Sequence, residues 1–308
     1  KEIRCFMKII KDKIITDYID NKIVLDIETT GVSRVNSQIV ICGLLYPYDG
    51  KKDNFIQYHL EDPADEKVLL EAIYEHIHHK DLVTYNGISF DLPFIKDRFK
   101  HHGLSTPQEN SNEDVYRILL ANKKLLRLNK FSLVDAESFI GIERLDSFNS
   151  HLNKKYQEQV LSLEEKNLLV HNRNDLINTE KILHIKSILT RIKTLELFDE
   201  KLYLTNLYID KDYLYVKMNS NKSKNFHFES PNQLVSAKQM TRLVKIRLFK
   251  AYISQDTLGL CLVQETPYIA DNSPYSLPEN ILLVYSNKKY YNFNIKNMVK
   301  KIYRELPL

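Results

Sequence analysis

Two carboxylates end an apolar segment near the N-terminus of the chain. Asp26 and Glu28 close the run Ile23–Ile27 and begin the sequence DIETTG at 26–31. Residues two apart in a strand point to the same face, so both carboxylates lie on one side of a sheet, about 7 Å apart along the strand. Unpaired anions at this spacing repel each other, and burial disfavours their charged forms. The pair is therefore typical of a site for Mg²⁺ or Mn²⁺, because these ions prefer carboxylate oxygens.

Two further acidic positions have the same character. Asp91 ends the sequence YNGISFD at 85–91, where a predicted strand gives way to a helix. Asp175 follows His171 in HNRND at 171–175, inside a long helical pattern. Four residues advance a helix by about 400°, so His171 and Asp175 lie within roughly 40° of each other on one face. An imidazole one turn from a metal-binding carboxylate is well placed to accept a proton from a metal-bound water.

Taken together, these motifs resemble the DEDD (DnaQ-like) 3′–5′ exonuclease superfamily of ribonuclease H-like fold, and more narrowly the YprB-type ribonuclease H-like domain. The resemblance covers about Ile23 to Ile188. It includes DIETTG, YNGISFDLPF at 85–94, SLVDAESFIGIER at 132–144 and HNRNDL at 171–176. Three motifs in this order with plausible spacing form a specific signal, whereas each one alone is weak.

The resemblance implies the roles of individual residues. Four acids would hold two divalent metal ions, Mg²⁺ or Mn²⁺, and would be catalytic: Asp26, Glu28, Asp91 and Asp175. His171 would be the general base or would orient the attacking water, although its four-residue spacing from Asp175 is that of the superfamily's tyrosine subtype. A pocket for a terminal nucleotide would be lined by Thr29, Thr30, Gly31, Tyr85, Asn86 and Phe90, with Phe90 or Tyr85 supplying a stacking surface.

The implied activity is a metal-dependent 3′–5′ exonuclease that hydrolyses phosphodiester bonds at the 3′ ends of single-stranded DNA or RNA by a two-metal mechanism. Single-stranded nucleic acid would be the partner. The sequence does not distinguish DNA from RNA, because recognition of the 2′-OH depends on pocket detail. Two alternatives remain open: a nucleic-acid-binding module that keeps the fold without turnover, and a structural adaptor.

Composition excludes several other classes of protein. The 308 residues are 43% hydrophobic and 27% charged, with 7 Gly and 9 Pro, which excludes collagen-like and mostly disordered chains. The sequence contains no long uncharged apolar run, so we expect no membrane span. Residues 1–20 lack the layout of a signal peptide. Three scattered cysteines, Cys5, Cys42 and Cys261, favour a reducing cytoplasm. The sequence contains no glycine-rich phosphate loop, so we expect no nucleotide cofactor. The histidine runs at 76–79 and 101–102 lack the cysteines that would complete a zinc site.

The pattern of elements predicts two domains. Residues 1–198 predict a ribonuclease H-like α/β domain, with three antiparallel strands at about 23–27, 38–48 and 54–60, followed by helices and parallel strands. A strand is expected near 114–118 and a long helical tract from 162 to about 198. Residues 199–308 predict a smaller α+β domain of strands with helices at about 236–249 and 295–306.

The second domain differs from the first in charge. Residues 199–308 hold 16 Lys or Arg and 10 Asp or Glu, a net +6, whereas residues 1–198 carry 28 and 30, a net −2. Four basic residues fall within ten positions, Lys238, Arg242, Lys245 and Arg247, and tyrosines surround them in sequence. This composition fits either a single-strand-binding surface or a tyrosine-rich core with a solvated basic face.

Overall fold

The structure, a computed structural model, describes residues 7–126, 128, 130–144 and 162–307. The chain folds into two compact units. The first consists of Lys1–Ala121 and Leu128–Ile185, and the second of Asn122–Arg127 and Lys186–Leu308. Of the three cysteines, Cys42 and Cys261 are buried free thiols, and Cys5 lies outside the described residues. No helix in the described ranges is long and apolar enough to cross a membrane.

A mixed sheet forms the centre of the first unit. Within the described residues it contains six strands: β1 (Met7–Asp12), β2 (Ile23–Thr29), β3 (Ile39–Leu45), β4 (Phe55–Leu60), β5 (Asp81–Thr84) and β6 (Ser111–Asp114). Their order in the sheet is β1-β4-β3-β2-β5-β6. The pairs among β1 to β4 are antiparallel, whereas β5 runs parallel to β2 and β6 parallel to β5. The predicted mixed sheet is confirmed, and β1 is an additional strand that the sequence pattern did not indicate.

Helices flank this sheet, and two of them begin at serine caps. They are α1 (Glu66–Ile77, after a 3₁₀ turn at Pro63–Asp65), α2 (Asp91–His101), α3 (Val115–Ala121), α5 (Leu133–Ile140) and α6 (Leu163–Ile182). Ser132 and Ser162 each cap the following helix in a reciprocal capping box, which satisfies two backbone N–H groups that would otherwise lack a partner. One side of the sheet packs on α1 and α2 around Leu69, Ile73 and Phe94, all fully buried.

The second unit contains two sheets, which in the described residues have four strands each. One has the order β10-β9-β8-β7 and the other β11-β12-β13-β14. Their bounds are β7 (Thr194–Glu196), β8 (Lys201–Asp210), β9 (Tyr213–Ser230), β10 (Gln233–Arg247), β11 (Phe249–Ser254), β12 (Thr257–Val263), β13 (Ile281–Ser286) and β14 (Lys289–Tyr290). The unit also includes α4 (Lys123–Leu126), most of α7 (Ile185–Lys193) and α8 (Asn292–Glu305). Its core joins β8, β9 and β10 to α8.

The predicted helix at 236–249 is wrong, because this segment belongs to strand β10. The cause is a register shift between Gln239 and Thr241. Before it the buried residues occupy odd positions, such as Val235, and after it even positions, such as Val244. A bulge of this kind interrupts the period of two, so the apolar residues take a spacing that resembles a helix.

Two other predicted elements need correction. The strand expected near 114–118 ends at Asp114, and α3 begins at Val115. The long helical tract is two helices, α6 and α7, and from Thr194 to Glu196 the chain is already in strand β7. In each case the apolar residues continue across the boundary, so hydrophobic spacing does not mark it.

We expect Arg242→Met to destabilise the protein by about 3–5 kcal/mol, because it leaves a buried carboxylate without its cation. Arg242 is not a surface cation: its guanidinium lies 2.8 Å from the Glu200 carboxylate, and both side chains are at most 1% exposed. Ser220 also donates to Glu200. Urea denaturation measures the loss. The double variant Arg242→Met/Glu200→Gln should recover part of it, and a single variant as stable as wild type would contradict the prediction.

Candidate active site

One strand and one helix bring three of the predicted acids together in the first unit. Asp26 and Glu28 lie on β2 in the middle of the sheet. Asp91 is the first residue of α2, which follows the neighbouring strand β5. The Ile27 N–H donates to Asp91 Oδ1 over 3.2 Å, which ties the start of α2 to β2 between the two acids.

Burial raises the pKa values of all three acids, and a neighbouring carboxylate adds to the effect at each. The pKa of Asp26 lies well above its usual range, first because of burial and then because of the Asp91 and Glu28 carboxylates. Burial and the Asp91 carboxylate raise the pKa of Glu28 to about 7. Burial likewise raises the pKa of Asp91 to about 7, although the Ile27 N–H opposes the change. The three acids therefore form one electrostatic cluster that a cation would stabilise.

The metal-free protein should become less stable as the pH rises from about 4 to about 7. Glu28 and Asp91 have ordinary pKa values of 4.5 and 3.8, and folding raises both to about 7. A raised pKa favours the protonated folded state, so this contribution to stability is complete below the ordinary pKa and is lost as the pH passes the folded value. Thermal melting in EDTA across this range measures the change.

Glu28→Gln should flatten this dependence and raise the melting temperature by several degrees at about pH 8, since it removes one of the repelling charges. Glu71→Gln, at an exposed position of α1, is the matched control and should behave as wild type. An equal loss of stability with pH in wild type and Glu28→Gln would contradict the prediction.

Two buried side-chain amides, linked by a hydrogen bond, hold the Asp26 carboxylate in place. Asn172 of α6 is fully buried, and its Nδ2 donates to Asp26 Oδ2 over 2.7 Å and to the Asp26 carbonyl over 3.2 Å. Gln57 of β4 donates to Asn172 Oδ1 over 2.7 Å, which fixes which way the amide points. Gly43 of β3 permits this approach, because a Cβ there would overlap the Asn172 amide and the Leu176 side chain. Asn172 lies within the HNRND motif, but no motif indicated its contact with Asp26, and none included Gln57 or Gly43.

Asp175 and His171 lie one turn apart on α6, as their spacing predicts. His171 Nε2 is 3.8 Å from Asp175 Oδ2, and the His171 side chain is 42% exposed. Arg144 forms an ion pair with Asp175, and its Nε lies 3.3 Å from Glu137 Oε1. The same guanidinium lowers the pKa values of Asp26 and Glu28, so Arg144 partly offsets the repulsion at these two acids.

In the described ranges, no three His, Cys, Asp or Glu side chains are arranged as a ready-made metal site. The donors nevertheless fit a hard divalent cation by their chemistry, because repelling carboxylates supply oxygen ligands and negative charge. Asp26, Glu28 and Asp91 would supply such ligands, whereas Asp175 is paired with Arg144.

Asp114 shapes the loop that leads to Asp91. Its two carboxylate oxygens accept from the N–H groups of Asn86 (2.9 Å) and Ile88 (3.0 Å). Asn86 has a positive φ of 63°, which these hydrogen bonds stabilise. Asp114 ends β6 beside β5, so its position at a parallel strand end is the signal that could have identified it.

The predicted nucleotide-contacting residues lie in two loops of the first unit. Thr29 donates to the Gly31 carbonyl, and Thr30 Oγ1 accepts from the Gln38 N–H, so both hydroxyls stabilise the turn after β2. In the other loop, the Tyr85 hydroxyl donates to the Phe131 carbonyl and the Phe90 ring packs against Phe94, with ring centroids 5.5 Å apart. Tyr85 and Phe90 are therefore partly buried rather than freely exposed rings.

A buried ion pair also stabilises the turn after β2. Arg98 of α2 binds Glu66 of α1, with 2.6 Å between Nη2 and Oε2, and both side chains are at most 3% exposed. Arg98 Nη1 donates to the carbonyls of Arg34 and Val35, 3.4 and 3.1 Å away. The ion pair therefore connects the turn to two helices of the first unit.

Comparison with solved structures finds low-identity neighbours. A family B DNA polymerase from the hyperthermophilic archaeon Pyrobaculum calidifontis is 15% identical with a TM-score of 0.40, over 55% of this chain and 24% of that one. An ExoI/SSB-Ct complex is 11% identical with a TM-score of 0.37, over 70% of this chain and 54% of that one. E. coli Exonuclease I in complex with a dA16 oligonucleotide is 12% identical with a TM-score of 0.32, over 66% and 55%.

The chain thus spans about a quarter of the polymerase and about half of the exonuclease chains. No curated protein matches the sequence. A family model described as RNase_H superfamily matches residues 23–186, which is more than half of the chain and runs from the start of β2 through α6. On this match, and with the mixed sheet that carries the acidic cluster, the chain belongs to the RNase H superfamily.

Proposed function

We propose that this protein is a metal-dependent 3′–5′ exonuclease that hydrolyses single-stranded DNA or RNA. The observation that carries the proposal is the convergence of Asp26, Glu28 and Asp91 from β2 and α2. Burial raises the pKa values of all three, and the Asp91 carboxylate further raises those of Asp26 and Glu28. Such a cluster is unfavourable without a cation, and the strand and helix that carry it lie within the residues that match the superfamily. Residues 1–198 would be the catalytic domain and 199–308 a separate domain.

Asp26, Glu28, Asp91 and Asp175 would hold two divalent ions, Mg²⁺ or Mn²⁺. When bound, such ions supply an activated water and neutralise charge on the phosphate. His171 would orient or deprotonate the attacking water, because its ring lies beside Asp175 and is open to solvent. Asn172 would keep Asp26 in one orientation through its two hydrogen bonds. Thr29 to Gly31 and Tyr85 to Phe90 would line the site for the terminal nucleotide.

A second candidate function is a nucleic-acid-binding module without turnover. The observation that favours it is the Arg144–Asp175 ion pair, since a cation of the chain itself already sits against one of the four acids. In an active enzyme this ion pair would give way to metal binding, whereas in a binding module it would persist.

The test is to incubate the protein with single-stranded oligonucleotides labelled at the 5′ end, DNA and RNA in parallel, with Mn²⁺, Mg²⁺ or EDTA. The exonuclease predicts a ladder that shortens from the 3′ end and requires the metal. An oligonucleotide with a blocked 3′ end is the control and should stay intact. Binding without a ladder under every metal condition would reject the exonuclease and support the binding module, and internal cuts in the blocked oligonucleotide would indicate an endonuclease.

A further inference from the structure

One face of the β8–β9–β10 sheet in the second unit is directed away from the hydrophobic core. In β9 the core side chains are Leu214, Val216 and Met218, so the intervening residues lie on the other face. The register places the neighbouring strands' residues beside them. This face, called the tyrosine face below, consists of Tyr203, Asn206, Tyr208, Asp210, Tyr213, Tyr215, Lys217, Asn219, Thr241, Leu243, Lys245 and Arg247.

Aromatic rings stand on this face rather than in the core. Tyr208 and Tyr215 pair across the strands with their rings stacked, 4.7 Å between centroids and 2° between planes. Tyr213 lies two residues before Tyr215, and Tyr203 is 41% exposed. Tyrosine rings that serve only as core would be directed inwards, as Tyr290 and Tyr303 are, so these four rings form an aromatic surface instead.

Cations stand beside these rings. Lys245 Nζ lies 4.3 Å from the ring centroid of Tyr213, and Lys217 Nζ lies 5.5 Å from that of Tyr208. Arg247 is exposed and pairs in register with Tyr213. Across the described part of the chain, none of these three cations forms a salt bridge. Asp210 is the acid on the tyrosine face, so the face carries a net positive charge.

A cleft continues the tyrosine face next to Lys217. It has a volume of about 250 Å³, and its lining includes Lys217, Lys238, Asn219 and Ser236. Lysine and hydroxyl or amide groups in a cleft suit phosphate and base edges. The charge and the cleft thus complement a polyanion, and the rings add a surface for flat, unpaired bases.

We propose that the tyrosine face binds single-stranded nucleic acid, with bases stacking on the tyrosine rings and phosphates on Lys217, Lys245 and Arg247. The ammonium groups now resting on the rings would move to phosphates when a base stacks, because an exposed cation–π contact is weaker than stacking combined with phosphate neutralisation. A folded acidic protein would satisfy the cations but would not use the rings. The proposal shares its class of ligand with the proposed function, but it concerns the other unit, beyond the matched residues 23–186.

The test is fluorescence anisotropy of the full chain with single-stranded DNA and RNA of about 20 nucleotides, in EDTA so that no metal-dependent cleavage interferes. Tyr208→Ala/Tyr215→Ala should raise Kd about tenfold or more, because two stacking surfaces are lost. Tyr208→Phe/Tyr215→Phe keeps the rings and should bind nearly as wild type, which separates stacking from a folding defect. Tyr252→Ala, which removes a 77% exposed tyrosine from β11 of the other sheet, is the matched control.

The contribution of charge is read from the salt dependence. Lys217→Ala/Lys245→Ala should lower the slope of log Kd against log salt by about 1.4, since each neutralised phosphate of a single strand contributes about 0.7. Lys51→Ala/Lys52→Ala changes the net charge equally in an exposed turn of the first unit and should leave the slope unchanged.

The outcomes separate this proposal from the proposed function. Wild-type affinity in the folded Tyr208→Ala/Tyr215→Ala variant, or equal affinity for single strands and duplex, would overturn the tyrosine face as a stacking surface, even if the protein cleaves. Tyrosine-dependent binding by a protein that never cleaves would support the face and reject the exonuclease. If the wild-type protein binds no oligonucleotide, the proposed role of the tyrosine face is wrong, and the cleavage assay alone then decides whether the protein is an exonuclease.

Discussion

Replacing Asp26 by asparagine is expected to reduce metal-dependent cleavage by more than about 100-fold, since even residues that only support metal ligands cost 10–100-fold when they are mutated. The change keeps the shape of the side chain, and its amide oxygen can still accept from Asn172. It removes a carboxylate whose pKa burial and two neighbouring acids raise well above the usual range. The variant should therefore fold and, without metal, be more stable than wild type at neutral pH.

Two measurements check this expectation together. The ladder assay reports cleavage, and thermal melting at increasing Mn²⁺ concentration reports binding to the folded state, which should raise the melting temperature of wild type but not of the variant. Asp49→Asn, at an exposed turn whose carboxylate accepts only from nearby backbone N–H groups, is the control. Equal Mn²⁺ stabilisation in wild type and Asp26→Asn would show that the ions bind elsewhere.

The second large effect is expected from Gly43→Ala, a change that replaces none of the acids, although Gly43 pairs in register with Asp26. The added Cβ would overlap the Asn172 amide and the Leu176 side chain, so β3 and α6 must separate. Overpacking of this kind costs about 1–3 kcal/mol of stability. Because α6 also carries His171 and Asp175, cleavage should fall by about 100-fold, which is the effect of a misplacement of about 1 Å.

The matched control is Gly50→Ala, because a Cβ at Gly50 would meet nothing within 4 Å. Its positive φ of 80° should cost some stability without changing cleavage. Circular dichroism establishes the temperature range in which Gly43→Ala remains folded, and cleavage is then compared within that range. A folded Gly43→Ala variant with wild-type cleavage would contradict the positioning role of the Asn172 contact.

Local patterns predicted much of the first unit. The strand ending in Asp26 and Glu28, the antiparallel strands after it and the helix that begins beside Asp91 all follow from apolar runs, turn residues and caps within a few positions. The mixed ribonuclease H-like sheet is confirmed. The roles of the four acids and of His171 stay predictions, although the structure brings Asp26, Glu28 and Asp91 into one electrostatic cluster.

Patterns of the same kind failed in the second unit. The bulge in β10 changes which alternate residues are buried, so the period of two that marks a strand is broken in the sequence. Closeness in sequence grouped Arg242 with the other basic residues, whereas the strand directs it inwards to Glu200 and leaves Lys245 and Arg247 on the tyrosine face.

The sequence by itself determined which elements carry the acids that are predicted to bind a metal, because spacing along one strand or helix fixes the direction of its side chains. Tertiary structure alone decided what surrounds those residues. Asn172 meets Asp26 across 146 positions of the chain, and Arg144 meets Asp175 across 31. Such contacts depend on how strands and helices pack, and local periodicity predicts the type of an element but not the elements against which it packs. The tyrosine face could not be predicted for the same reason, because it forms only when the three strands β8, β9 and β10 pair in register.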